Sequence, residues 1–213
     1  FGRTGYTFDG WLDGANKREA SYATTMAGQN STVVAHWIIA APSAPTISGV
    51  SAGDSSATIT VAPGAGGGAP ASYTITASPG GATCTVISPA TSCSISPLTN
   101  GTSYTFSATA TNSTGTSAAT NSSAITPAGT PSAPSAPAAV RGNGQATVTV
   151  TPLAADATGG KAITSYTVTA YDASGNAAGT PCQVIPAATS CAVTGLTNGS
   201  AYTFKVSATN GVA

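Results

Sequence analysis

Hydrophobic and polar residues alternate one by one along many short segments of the chain. In residues 56–64, for example, Ile59 and Val61 point to one side of an extended chain, whereas Thr58 and Thr60 point to the other. Alternation with a period of two is typical of a β-strand with one buried face. No window of useful length shows the period of an amphipathic helix. The pattern therefore predicts an all-β chain.

The alternating segments belong to a long internal repeat. The sequence LTNGTSYTFSATATN at residues 98–112 returns as LTNGSAYTFKVSATN at residues 196–210. Residues 56–64 correspond in the same way to residues 145–153. Short strands separated by Gly, Pro, Asn and Ser, in units of about 90 residues, predict a two-sheet sandwich for each copy.

Four cysteines form two pairs with the same spacing, Cys84 with Cys93 and Cys182 with Cys191. Zinc sites need short C-x-x-C spacings or nearby histidines, and the only histidine, His36, lies in a different segment. We therefore predict one local disulfide in each copy. Because disulfides persist outside the cytosol, the chain is expected to be exported and to be extracellular or on the cell surface.

The repeated stretch contains a motif of a known family. Leu98, Asn100, Gly101, Tyr104 and Phe106 resemble the E–F corner and the F strand of fibronectin type III domains, which are immunoglobulin-like sandwiches. The second copy has the same motif at Leu196, Asn198, Gly199, Tyr202 and Phe204. The resemblance implies that the two tyrosines are structural corner residues, whose hydroxyls bind the corner backbone. The predicted disulfide of each copy, between the expected C′ and E strands, is an addition to the family's pattern.

The resemblance divides the chain into domains. It covers residues 42–127 and 132–213. The expected division is a first sandwich at 41–127, a Pro-rich linker at 128–138 and a second sandwich at 139–213 that lacks its last strand. Spaced prolines in the linker favour an extended, semi-rigid spacer.

Residues 1–40 differ from both copies. The opening motif GYTFDGW at residues 5–11 and a hydrophobic strand ending at Trp37 resemble the second half of the Listeria–Bacteroides surface repeat. The resemblance implies a partial β-grasp-like module at 1–40, whose usual first strand would precede residue 1. The predicted chain thus consists of two tandem sandwiches and a small N-terminal β module.

The two copies differ at their C-terminal ends. The first continues through residues 116–126, which are expected to form the last strand, G, whereas the second has no counterpart after Asn210. A sandwich without G exposes the edge of its F strand, which is a template for a strand from another chain. Two explanations stay open: the chain is a piece of a longer array, or a neighbouring copy supplies the strand in a head-to-tail fibre. The expected donor is the most apolar strand, residues 31–40.

Charge is scarce and balanced, which excludes several classes of function. Six Lys and Arg residues and six Asp and Glu residues cancel to a net charge of zero, and six of these twelve lie in residues 1–40. Nucleic-acid binding needs clustered Lys and Arg and is therefore not expected. No stretch of the sequence approaches the roughly 20 apolar residues of a membrane span.

Candidates for catalysis or metal binding are few. His36 is expected to face outward from a strand or to pack beside Trp37. Asp9 and Asp13 are a close acidic pair, but each precedes a glycine and is interpreted as a turn residue. The glycine-rich residues 64–69 lack the lysine of a phosphate-binding loop and are interpreted as a flexible loop. We predict no catalytic, cofactor-binding or metal-binding residue, no cofactor and no enzyme activity.

These features favour a structural function. We expect an extracellular bacterial protein that serves as an adhesive stalk, or as a fibre or filament subunit, of the cell surface. Its expected partners are other copies of itself or neighbouring modules of a longer surface chain, together with glycans or a host surface. The alternative is an accessory spacer or carbohydrate-binding module of a secreted polysaccharide-degrading enzyme. Such a site would use the aromatic residues of the N-terminal module, Tyr6, Phe8, Trp11, Tyr22 and Trp37.

Overall fold

A computed structural model describes residues 2–13, 15–18 and 33–212 of the chain. The chain divides into two compact units. The first unit contains residues 1–51, 57–96 and 104–125, and the second contains residues 52–56, 97–103 and 126–213. Two turns of the first sandwich therefore belong to the second unit.

The N-terminal module is an antiparallel sheet of three strands, β1 (Tyr6–Asp13), β2 (Asn16–Arg18) and β3 (Val33–Ile39), in the order β2–β1–β3. The half-buried rings of Phe8, Trp11 and Trp37 pack together, with Phe8 5.4 Å from each of the other two rings, edge to face. These three rings therefore contact one another at steep angles and do not form a flat platform. Tyr22 lies outside the described residues, and the relation to surface repeats remains a prediction.

The first sandwich consists of two antiparallel sheets. Its strands are β4 (Thr46–Gly53), β5 (Ser56–Ala62), β6 (Ser72–Ser78), β7 (Thr83–Ile87), β8 (Ser92–Ile95), β9 (Thr105–Asn112), β10 (Gly115–Thr116) and β11 (Thr120–Asn121). One sheet has the order β4–β5–β8, and the other has the order β10–β9–β6–β7, with β11 also paired to β9. The expected G strand at 116–126 is thus broken into short pieces.

The core of the first sandwich comes from alternate residues of these strands. Ile59 of β5, Ile75 of β6 and Phe106 of β9 have 0% of their surface exposed. The threonine that separates Ile59 from Ala57, Thr58, is exposed. Burial of one face imposes this period of two, and the predicted all-β architecture is confirmed.

The second sandwich has six strands on one continuous path. They are β12 (Ala138–Arg141), β13 (Gln145–Thr149), β14 (Ser165–Tyr171), β15 (Ala177–Val184), β16 (Ser190–Thr194) and β17 (Thr203–Thr209), in the order β12–β13–β16–β15–β14–β17. A pair between Thr180 and Thr194 joins the two layers. Val148, Val168 and Val193 are fully buried between the layers.

The segment between the sandwiches, residues 126–137, contains no strand. Its first part is nevertheless packed, because Pro127 and Gly129 are buried within the second unit. In residues 130–137, Pro131, Pro134 and Pro137 are half-buried and the other residues are exposed. The predicted linker therefore begins with a docked stretch.

Candidate functional site

In the first sandwich, residues 117–125 cover the outer edge of β9. Tyr104 and Ile125 exchange two backbone hydrogen bonds, with N–O distances of 2.8 and 2.9 Å. Ser122 N–H donates to the Phe106 carbonyl (2.8 Å), and the Ser122 hydroxyl oxygen accepts the Phe106 N–H (2.9 Å). Both backbone groups of Phe106 on this edge are therefore satisfied.

A second serine, Ser117, acts in the same way at Ala110, which lies four residues after Phe106 on β9. Ser117 N–H donates to the Ala110 carbonyl (2.8 Å), and its hydroxyl oxygen accepts the Ala110 N–H (2.9 Å). Serine hydroxyls replace backbone carbonyls at these two points. This explains why the predicted continuous G strand is interrupted although the edge of β9 is covered.

In the second sandwich, the corresponding edge of β17 is open. β17 pairs with β14 along one edge, and no described residue pairs with the other. The inward side chains of β17 and of the residue just before it are half-buried, whereas their counterparts in the first sandwich are at most 7% exposed. These residues are Tyr202, Phe204, Val206 and Ala208. The open edge thus leaves part of the second core accessible to solvent.

A cleft of about 590 Å³ lies beside this edge. Its lining includes Ala139 of β12, Ala146 of β13, Phe204 of β17 and Tyr202, which directly precedes β17. Arg141 is the one charged lining residue in the described part of the chain. The lining also includes polar residues such as Gln145, Thr197 and Asn198. An apolar patch beside unpaired backbone groups suits the addition of a β-strand.

The structure places Tyr202, a predicted corner residue, at this cleft. The Thr197 N–H donates to the Tyr202 hydroxyl (3.0 Å). This hydrogen bond lowers the pKa of the Tyr202 hydroxyl. Tyr104, its counterpart in the first sandwich, is 7% exposed. The backbone bond holds the Tyr202 ring in place at the start of the open edge.

The four cysteines are paired as the spacing predicts. Cys84 of β7 is bonded to Cys93 of β8, and Cys182 of β15 to Cys191 of β16, with Cα atoms 6.2 and 5.9 Å apart. In the first sandwich the bond joins the edge strands of the two sheets. Each disulfide therefore closes the side of its sandwich opposite the F-strand edge.

Two asparagines that sequence reasoning missed hold the segments leading into the sandwiches. Asn112 Nδ2 donates to the Ala40 carbonyl (2.8 Å), and Asn210 Nδ2 donates to the carbonyls of Gly129 (2.8 Å) and Thr158 (2.9 Å). Ala40 and Gly129 each precede a Pro-Ser-Ala-Pro sequence by one residue. We call this contact the linker clamp. Its signal in the sequence was that both asparagines end the repeated stretch.

The glycine-rich residues 64–69 pack against the segment that leads into the first sandwich. Gly68 N–H donates to the Ala41 carbonyl (3.1 Å). A Cβ atom on Gly64 would overlap the Ala44 carbonyl oxygen, and one on Gly68 would overlap that of Ala40. Close approach of two backbones therefore explains these glycines, rather than loop flexibility.

A second cleft, of about 700 Å³, lies beside this loop in the first unit. Tyr6, Ile39 and Asn112 are among its lining residues, and none of the lining residues from the described part of the chain is an acid, a base or a cysteine. In this part of the chain, no three His, Cys, Asp or Glu residues are grouped so that they could hold a metal ion.

Asp9 lies within β1 and not in a turn as expected. Lys17 Nζ is 2.7 Å from Asp9 Oδ1, and His36 Nδ1 is 3.0 Å from Asp9 Oδ2. The hydrogen bond from Lys17, and then that from His36, lowers the pKa of Asp9. Gly10, with a φ of 128°, forms a β-bulge here. The turn interpretation is wrong for Asp9 because an Asp-Gly pair also fits a bulge; Asp13 ends β1.

These features define a class of protein, a tandem of antiparallel β-sandwiches that each carry one disulfide. The fibronectin type III domain family matches residues 40–126 and 132–213. The chain belongs to the fibronectin type III family. No curated protein matches it.

Among solved structures, the chain is similar to the FN1–FN3 domains of chicken CNTN1, with 21% identity and a TM-score of 0.41. The match covers 80% of this chain and 61% of that one. Fibronectin type III domains occur as structural, adhesive or spacer modules and are generally non-catalytic. Together with the disulfides, the family indicates an extracellular or secreted protein. No helix among the described residues is long and apolar enough to cross a membrane.

Proposed function

We propose that the chain is part of an extracellular bacterial structural protein, in which the sandwiches form a stalk or a fibre subunit of the cell surface. The observation that carries this proposal is the open edge of β17 with its half-buried core residues. Adding a strand there would extend the assembly and complete the core at the same time. The net charge of zero supports this reading, since a protein without net charge resists association poorly.

The first sandwich gives the pattern of a suitable strand. Ser117, Ser122 and Ile125, which cover β9, follow the spacing Ser-x4-Ser-x2-Ile. On β17 the same spacing would place the serines opposite Ala208 and Phe204, and the isoleucine opposite Tyr202. A strand with this pattern would satisfy the open backbone groups as residues 117–125 satisfy those of β9.

The sequence suggests residues 31–40 as the donor, and the described part of this segment includes β3 (Val33–Ile39), which is paired with β1. Val34, Ile38 and Ile39 of β3 remain 54%, 42% and 48% exposed. β3 would therefore pair with β17 of another copy through the edge that faces away from β1, and its pairing with β1 would be kept. Such a contact is head-to-tail and extends without closing.

Light scattering and negative-stain microscopy at increasing protein concentration test the proposal. We expect concentration-dependent assembly that a peptide of residues 116–126 suppresses by occupying β17. A chain that stays monomeric, ignores the peptide and is retained on cellulose, chitin or peptidoglycan would instead favour an accessory module of a polysaccharide-degrading enzyme.

A further inference from the structure

Two turns of the first sandwich, residues 53–55 and 100–101, form a surface that we call the first turn frame. The Asn100 side chain joins the turns, because its Oδ1 accepts the Ser55 N–H (2.8 Å) and its Nδ2 donates to Asp54 Oδ1 (2.7 Å). All of these residues belong to the second unit. The hydrogen bonds fix the two turns against each other.

The linker docks on the first turn frame. Gly101 N–H donates to the Pro127 carbonyl (2.9 Å), and Ala128 N–H donates to the Gly53 carbonyl (3.2 Å). Pro127 is buried. A Cβ atom built on Gly101 would lie 3.1 Å from the Gly160 Cα. The linker and a glycine of the following sandwich therefore both contact the frame.

The docked stretch has a defined chemistry. Gly129 passes so close to the Asp54 carboxylate that a Cβ atom at position 129 would overlap it. On its other side, the Gly129 carbonyl is held by the linker clamp of Asn210. A partner for such a frame thus needs a prolyl carbonyl, a following N–H and then a glycine, as in the Pro-Ala-Gly sequence of residues 127–129.

The second sandwich builds the same frame from residues 142–144 and 198–199. Asn198 Oδ1 accepts the Gly144 N–H (2.9 Å), and Asn198 Nδ2 donates to Asn143 Oδ1 (2.7 Å). These bonds correspond one by one to those of Asn100, and their lengths differ by at most 0.1 Å. We call this surface the second turn frame.

The second turn frame is uncovered. Gly142 and Asn198 are exposed, whereas their counterparts in the first frame, Gly53 and Asn100, are half-buried. A Cβ atom on Gly199 would meet nothing within 4 Å, in contrast to Gly101. The Gly199 N–H, which corresponds to the donor that binds the linker in the first frame, has no hydrogen-bond partner among the described residues.

We propose that the second turn frame docks the linker and the glycine loop of a further sandwich of the same kind. The partner carries a Pro-Ala-Gly segment, whose prolyl carbonyl accepts the Gly199 N–H and whose glycine packs against Asn143. Because Asn143 replaces Asp54, this contact needs no charge. The inference rests on the proposed structural function, to which it adds the class of the next partner and its docking surface.

Amide hydrogen exchange in an extended chain tests the inference. The extended chain is the full chain followed directly by a second copy of residues 116–213. Residues 211–213 follow Asn210 as residues 113–115 follow Asn112, so the appended copy begins at the position that residue 116 has in the first sandwich. We expect the Gly199 amide to exchange about tenfold or more slowly than in the original chain, approaching the rate of Gly101. Gly129→Val in the appended copy alone should restore fast exchange, since its side chain would overlap Asn143.

The Phe204 amide separates this inference from the proposed function. Phe204 lies on β17, so the appended residues 116–125 should protect it whether or not the turn frame is occupied. Fast exchange at Gly199 in the extended chain overturns the inference. The strand-acceptor function is then retained if the Phe204 amide is protected, and it is lost if this amide also exchanges fast. Slow exchange at Gly199 that persists with the appended valine also overturns it, because the protection would then not come from the Pro-Ala-Gly contact.

Discussion

Phe106 and Phe204 occupy the same place in the two sandwiches, yet Phe106 has no exposed surface and Phe204 is half-buried. The two residues lie 98 positions apart in an internal repeat. Residues 117–125 cover the edge of β9 beside Phe106, and no described residue covers the edge of β17 beside Phe204. The comparison isolates what one covering strand contributes to a sandwich of this kind.

Truncation of these two phenylalanines should have unequal effects. Phe106→Ala is expected to lower the free energy of unfolding of its sandwich by about 3–5 kcal/mol, the range for a fully buried phenylalanine. Phe204→Ala should cost clearly less, because its ring is already partly hydrated. Urea unfolding followed by circular dichroism measures both. Equal losses would contradict the assigned difference in burial.

The two disulfides should contribute equally. Both close loops with a sequence separation of nine residues, for which the chain-entropy relation gives about 2.7 kcal/mol each. We expect similar losses for the paired replacements Cys84→Ala with Cys93→Ala and Cys182→Ala with Cys191→Ala. Denaturant unfolding with and without a reductant provides the measurement, since reduction should have no further effect on the sandwich that lacks its cysteines. A variant without any loss would refute a stabilising role for that bond.

The linker clamp should be sensitive to loss of the Asn210 amide. Asn210 has 0% of its surface exposed and donates to two carbonyls. Asn210→Ala leaves these acceptors without their donor and should destabilise the second sandwich by about 1–3 kcal/mol. Asn121→Ala is the matched control, because Asn121 is exposed and its loss should stay within about 0.5 kcal/mol. Similar midpoints for the two variants would rule out the clamp as a stabilising contact.

The N-terminal sheet should weaken in acid. Lys17 and His36 lower the pKa of Asp9 below its ordinary value of 3.8, so the stabilisation is present above this value and is lost as the pH falls through the lower folded-state pKa. Trp11 and Trp37 are the only tryptophans and lie in this sheet, so their fluorescence reports on it alone. Asp9→Asn should remove the acid transition, and high salt should reduce it. An unchanged acid transition in Asp9→Asn would exclude this carboxylate as its source.

Part of this architecture could be predicted from sequence because burial leaves a local signature. Alternation at Ile59 and Val61 indicated a strand with one buried face, and equal cysteine spacing indicated the two disulfides. The interruption of the G strand could not be predicted, because it depends on the hydroxyls of Ser117 and Ser122 replacing backbone acceptors. Asp9 was misinterpreted because an Asp-Gly pair fits both a turn and a bulge.

The linker clamp was missed for a different reason. Asn112 and Asn210 resemble ordinary loop residues in the sequence, and the carbonyls they bind are 72 and 81 residues away for the closest contacts. Only the repeat itself marked them, since both end the same stretch. Hydrogen-bond partners that are this distant in sequence can be identified only once the fold of the backbone is known.

Hydrogen exchange at the Phe204 amide, with and without a peptide of residues 116–126, tests the central claim most directly. If β17 accepts a strand, saturating peptide should slow this amide, while the Phe106 amide, whose edge is already covered, keeps its rate. A peptide with Ile125→Asp should have a much weaker effect, because it would place a carboxylate against the Tyr202 ring. Unchanged exchange at Phe204 in saturating peptide would contradict the account.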